Sequence, residues 1–183
     1  MQPDHICQGK LADCYFLSAV SALAEVPGRI ESLFNTKTVN KAGIYSLNLF
    51  VNGKVQEVIV DDLIPCDGTK KRPCFAHARD TSQVWLMLLE KAWAKLHGSY
   101  CMTRRGSFLS AMPHLTGAPL RLIDHNFAED VDELWDSITH ATQRGLIVVA
   151  SSSDTDLATP TRTKQLLTSS YSYSVVSIVS QKM

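Results

Sequence analysis

A chain of 183 residues, 45% hydrophobic and 20% charged, carries enough apolar side chain to bury a core as one domain or two small lobes. Its 18 basic and 18 acidic side chains cancel, and no Lys/Arg run exceeds the "KKR" ending at Arg72, so charge gives no reason to expect nucleic acid or an anionic membrane as partner. No apolar stretch approaches the ~20 residues of a membrane span, and "MQPDHIC" lacks the charged-then-apolar form of a signal peptide.

In chain order, the first predicted element runs from Cys14 to Ala24, with Leu17, Val20 and Ala24 on one helical face and Pro27-Gly28 beyond its end. From Tyr45 the period becomes two. Tyr45, Leu47, Leu49 and Val51 alternate, Asn52-Gly53 supplies a tight turn, and "KVQEVIVDD" returns, which predicts a hairpin. "QVWLMLLEKAWAKLHG" places Trp85, Leu88, Leu89, Ala92, Trp93 and Leu96 at helical steps and closes on a basic last turn and Gly98. Gly106, Pro113, Gly117 and Pro119 then interrupt periodicity and suggest a boundary between two parts. Beyond it come a strand-like "PLRLID", a helix from about Glu129 to Arg144 with acidic residues in its first turn, and "GLIVVA", apolar enough for a doubly covered strand. A Ser/Thr-rich loop from Ser151 to Thr163 and a last strand, "YSYSVVSIV", complete the chain.

Cys7, Cys14, Cys66, Cys74 and Cys101 are odd in number and scattered, a poor disulfide framework, so a reducing, cytoplasmic compartment is expected. Cys66, Cys74 and His77 form a nominal metal-ligand set, but there is no CxxC knuckle, and the two thiols read as loop or partly buried side chains.

Cys14 stands at the head of its helix, six residues after Gln8. A thiol there meets the partial positive charge of unpaired backbone N–H groups, which favours the nucleophilic thiolate. Attack on a carbonyl also needs donors for the developing oxyanion, and the Gln8 amide beside the Cys14 backbone N–H is one such pair. A histidine to take and return the proton completes the chemistry. Packing is the competing role, because cysteine is among the most buried residue types.

"QGKLADCYFLSAVSALAE" resembles the signature of calpain-type cysteine proteases, a Q-G-x-L-x-D-C-W-x-L motif with the oxyanion glutamine and the nucleophile. "VDDLIP" at Val60 to Pro65, "VWLMLLEKAWAKLHGSY" at Val84 to Tyr100 and "HLTGAP" at His114 to Pro119 resemble further segments of that protease core, in the same order. The resemblance implies an α+β, papain-like fold of calpain type, with a first lobe over residues 1–106 and an incomplete second lobe over 107–183. It implies Cys14 as nucleophile and Gln8 as oxyanion donor in peptide-bond hydrolysis, and proteins or peptides as substrates or binding partners.

Departures from the family pattern bear on activity. Ala12 stands where glycine is usual, and Tyr15 replaces the tryptophan after the nucleophile, both expected near the cleft. The C-terminal "QLLTSSYSYSVVSI" resembles a family strand reading H-A-Y-S-V. The alignment puts Tyr171 at the catalytic histidine, or Ser170 after a one-residue shift. No N-P-W-G-type motif with the orienting asparagine occurs before Met183. His5, His97, His114, His125 and His140 read as exposed, capping, turn or helix-surface residues, and none is nominated as the base. The expectation is a cysteine endopeptidase domain that is inactive as this chain, the alternative being a degenerate domain that binds proteins without cutting them.

The resemblance also implies calcium, held by acidic side chains and carbonyls in each lobe. In the first lobe the expected acidic positions fall on His5 and Cys101, and losing two carboxylates should weaken or abolish that site. Asp61 and Asp62 read as strand-end residues. No other cofactor is supported.

Overall fold

A computed structural model describes residues 1, 3–80, 82–123, 130–151 and 172–174. The chain divides into two compact units, Met1–Pro119 and Leu120–Met183. Their elements are mixed helices and small antiparallel sheets.

The first unit begins with a 3-10 turn at Pro3–His5 and a short strand, β1 (Ile6–Cys7). Helix α1 (Cys14–Ala24) follows an Asp13 N-cap, with no glycine or proline inside and a largely buried surface that includes Leu17, Val20 and Ala24. It ends as predicted before Pro27, whose ring disfavours helical geometry in Val26, and Gly28 takes φ +89°. After a 3-10 turn at Glu31–Leu33, β2 (Ile44–Val51) and β3 (Lys54–Asp61) form the predicted hairpin in antiparallel register, Leu47 opposite Val58 and Tyr45 opposite Val60. The turn needs positive φ at both central residues, and Asn52 and Gly53 supply 51° and 74°.

Two smaller pairs follow. β4 (Cys66–Asp67) pairs with β5 (Arg72–Pro73), and β6 (His77–Ala78) returns to β1. The segment of Cys66 and Cys74, whose thiols read as loop or partly buried side chains, holds a small hairpin, its turn held by Asp67, whose Oδ1 accepts hydrogen bonds from Thr69 N at 3.0 Å and Thr69 Oγ1 at 2.6 Å.

Helix α2 (Trp85–Leu96) realises the strongest periodicity of the sequence, with Leu86, Leu89 and Trp93 fully buried and Gly98 at φ +95° just past its end. It packs on β3 and on the 3-10 turn Tyr100–Thr103. Each such buried leucine or aromatic contributes roughly 1.5–3 kcal/mol relative to exposure.

The segment read as a boundary holds a helix, α3 (Phe108–Thr116), packed on α1 and β2, and the division into two units falls at the end of that segment, after Pro119. Ser107 Oγ caps it by accepting the Leu109 N–H at 3.2 Å, and Gly117 ends it in the left-handed conformation. Pro113 removes one helical N–H, but buried Ala111, Met112 and Leu115 outweigh that loss.

In the second unit, the strand-like "PLRLID" forms no strand over its described residues 119–123, and Leu122 is exposed. Helix α4 (Val131–Gln143) matches its prediction, with the Asp130 carboxylate accepting Asp132 N–H at 2.8 Å. Only β7 (Val149–Ser151) of the apolar "GLIVVA" run is strand, and it pairs antiparallel with β8 (Ser172–Ser174). Leu146 is exposed, so the run is not the doubly covered strand its apolarity predicted. Ser170, Tyr171, His125 and the loop read from Ser151 to Thr163, apart from Ser151 itself, lie outside the described residues.

Candidate active site

Cys14 is the first residue of α1 and half-buried, and Gln8 lies on the exposed loop that leads into it. Gln8 Nε2 donates to Leu11 O at 2.8 Å. An amide nitrogen carries two hydrogens, so this bond fixes the side chain and leaves one N–H for a ligand. At the helix head the Asp13 carbonyl accepts Phe16 N at 2.9 Å and Leu17 N at 3.2 Å.

The loop is held from behind. Lys10 N donates to Cys74 O at 2.8 Å, and Lys10 Nζ pairs with Asp67 Oδ2 at 2.8 Å. This bond and the Thr69 donors hold the Asp67 carboxyl well below the usual carboxylate range. Gly9 lies so close to Phe75 that a Cβ would fall 2.3 Å from the Phe75 carbonyl carbon, which only glycine permits. On the other side Arg105 N donates to the carbonyl of exposed Ala12 at 2.8 Å.

Tyr15 departs from its expected place near a cleft. It is 7% exposed, its hydroxyl donates to Thr103 O at 3.0 Å, and Trp93 Nε1 donates to that hydroxyl at 3.3 Å. The phenol points into the core because those two partners satisfy it there, and burial pushes its pKa up. Phe16 stacks on Trp93 with centroids 4.9 Å apart.

The ring hydrogen bonds of His77, His97 and His114 go to backbone carbonyls and not to Cys14. The Nδ1 atoms of His77, His97 and His114 face the carbonyls of Phe75, Trp93 and Ser110 at 3.1, 3.0 and 2.6 Å. A carbonyl only accepts, so each Nδ1 carries the proton. The tertiary structure gathers His97 and His114 around Trp93, their ring centroids 5.7 Å apart, which the sequence did not indicate.

Sequence reasoning also missed two buried carboxyls behind the nucleophile. Asp13 is 0% and Glu90 1% exposed. Both Glu90 oxygens accept the Ala76 N–H, at 3.2 and 3.0 Å. Burial and then the Asp13 charge push the Glu90 carboxyl well above the usual glutamate range, and burial raises Asp13 as well. Their signal lay in α2, where Glu90 falls on the stripe of Leu86, Leu89 and Trp93.

The residues at the expected calcium positions do not fit that ion. His5 and Cys101 offer nitrogen and sulfur where a hard cation takes oxygen, and among the described residues no three His, Cys, Asp or Glu side chains are placed to share a metal. Asp61 is engaged as a strand-end residue, accepting the Leu63 N–H at 2.8 Å and pairing with Lys91. All five cysteines are free thiols, and none of the described helices is long and apolar enough to cross a membrane.

The calpain family cysteine protease profile matches residues 1–183. The chain is 39% identical over 155 residues to the calpain-type cysteine protease DEK1 of Arabidopsis thaliana, covering 82% of this chain and 7% of that protein. It is 31% identical over 151 residues to calpain-9 of Rattus norvegicus, covering 80% and 21%, and 32% identical over 175 residues to the calpain-2 catalytic subunit of Homo sapiens, covering 93% and 24%. The chain therefore spans less than a quarter of the length of these relatives. With the profile running from first residue to last over a helix-borne cysteine and its glutamine loop, the chain belongs to the calpain family of cysteine proteases.

Proposed function

We propose that this chain is a calpain-type endopeptidase domain in which Cys14 is the nucleophile and Gln8 the oxyanion donor, and that by itself it does not hydrolyse peptide bonds. The observation that carries the reading is the loop and helix head together: Gln8 Nε2 is oriented by Leu11 O at 2.8 Å with one N–H spare, ahead of a half-buried thiol on the first residue of α1. In the reaction, the Cys14 sulfur attacks a peptide carbonyl, and the Gln8 amide and the Cys14 backbone N–H receive the negative oxygen. A papain-like arrangement with lobes at 1–106 and 107–183 is the fold we infer for it, acting on protein or peptide substrates. The free thiols agree with a cytoplasmic setting, and His5 and Cys101 disfavour calcium in the first lobe.

Inactivity follows from Tyr171, or Ser170 after a one-residue shift, at the position of the family's histidine. General-base transfer is commonly worth ~10²–10⁴ in rate, and a phenol with an ordinary pKa near ~10 stays protonated at neutral pH. The same substitution favours a second reading, a domain that binds protein segments without cutting them. Incubation with casein, with and without calcium, tests the proposal: no cleavage is expected from the chain or from Tyr171→His. Cleavage by the unmodified chain that vanishes in Cys14→Ala would show another base at work and overturn the inactive reading.

A further inference from the structure

We propose that Glu90 is a positioning residue for the Cys14 site: its carboxyl carries a proton and braces the head of α1, through Asp13, to the Phe75–Ala76 segment that supports the glutamine loop. This rests on the reading of Cys14 and Gln8 given above.

The Asp13 carboxyl turns inward from the helix head, leaving the backbone carbonyl to receive the first helical N–H groups. Among the described residues no N–H or O–H donates to either Asp13 oxygen in the deprotonated pair. The buried carboxyl of Glu90 is the group that acts on it, and among the described residues no cation acts on either carboxyl. Two ionised carboxylates buried together would repel, and among the described residues the Ala76 N–H at Glu90 and the weaker pull of Asp13's own backbone N–H do not compensate them. One proton on Glu90 turns that repulsion into a short O–H···O⁻ bond to Asp13, while Glu90 still accepts from Ala76. The proton belongs to the pair, and the raised affinity of both carboxyls for it agrees with this arrangement.

The mechanical consequence runs in two directions from Glu90. One is Asp13, covalently next to Cys14. The other is Ala76, whose neighbours Cys74 and Phe75 bond Lys10 N and bear on Gly9, the two residues after Gln8. Among the described residues the ionisable neighbours include Cys14, next to Asp13 in the chain, Tyr15, on which Asp13 acts, and Tyr100, on which Glu90 acts. Burial and then Glu90 and Asp61 push the Tyr100 phenol up.

Two readouts on the whole chain test the brace. Infrared difference spectra at neutral pH, wild type against Glu90→Gln, should show a protonated carboxyl band in the wild type alone. Iodoacetamide labelling with peptide mapping should follow Cys14 relative to exposed Cys66 and Cys101 as pH rises. The wild-type ratio should change by about fivefold or more as the pair loses its proton, whereas Glu90→Gln, which donates to Asp13 and accepts from Ala76 at every pH, should hold it within about twofold. Glu90→Leu should show the altered ratio already at neutral pH. A missing carboxyl band, or the same alkaline change in Glu90→Gln, overturns the brace. An intact band with a Cys14 that never labels in any variant overturns the nucleophile reading instead.

Discussion

The ring of Tyr15 lies against Gly106 so closely that a Cβ on residue 106 would stand 2.4 Å from Tyr15 Cζ. The ring has little room to retreat, because its hydroxyl is bonded to both Thr103 O and Trp93 Nε1. Gly106→Ala should therefore cost about 1–3 kcal/mol, as overpacking does. Thermal denaturation should register it as a fall of ~2–4 °C per kcal/mol for a chain of this size. An unchanged midpoint would show that Tyr15 yields freely.

Gly9→Ala should be more damaging to the site than to the fold. Its Cβ would meet backbone, the Phe75 carbonyl at 2.3 Å, where no side-chain rotation gives relief. The loop must move away from residues 74–76, breaking the Lys10 N to Cys74 O bond. Amide exchange at Lys10 should accelerate by at least about tenfold while the amides of α2 keep their protection. Equal protection of Lys10 in both proteins would contradict the close approach.

Stability should fall as pH rises above the ordinary glutamate range, and Glu90→Gln should remove that slope. The sign follows from proton counts. Glu90 is raised from 4.5, so above that pH the folded protein keeps a proton that the unfolded chain has released. Raising the pH then favours unfolding, by up to about 1.4 kcal/mol per unit until the folded group also ionises. Asp61, Asp67 and Asp80 are lowered from 3.8 by their hydrogen-bonding partners, first Lys91, Lys10 and the Ser82 N–H, so their contributions are lost only in acid. Urea denaturation at successive pH values reads the slope, and one that persists in Glu90→Gln would assign it elsewhere.

Calcium titration should give no sensor-like binding in the Met1–Pro119 unit. His5 and Cys101 replace two oxygen donors, and Asp61 is already paired with Lys91. Calorimetry should find no site with a dissociation constant of roughly 10⁻⁷–10⁻⁵ M, and a site in that range would require ligands other than those at positions 5 and 101.

What the sequence by itself determined is local. The α1 boundary, the Asn52-Gly53 hairpin and α2 follow from periodicity and from the backbone angles that Asn, Gly and Pro allow, so they were legible without the fold. The roles of Cys14 and Gln8 came from resemblance to the calpain signature, while their places on helix head and loop were legible because both lie within one short segment. Tertiary packing decided the rest. Pro113 reads as a breaker, but α3 forms because Ala111, Met112 and Leu115 are buried against α1 and β2. "PLRLID" has strand-like residues, but over 119–123 it forms no ladder, because a strand is stabilised by a partner and not by its own alternation. Tyr15, expected near a cleft, turns inward because Thr103 and Trp93, distant in sequence, meet its hydroxyl. Glu90 was visible as a charge on an apolar stripe, but its role needed Asp13 and Ala76 brought to it, and burial is what makes two carboxyls hold a proton between them.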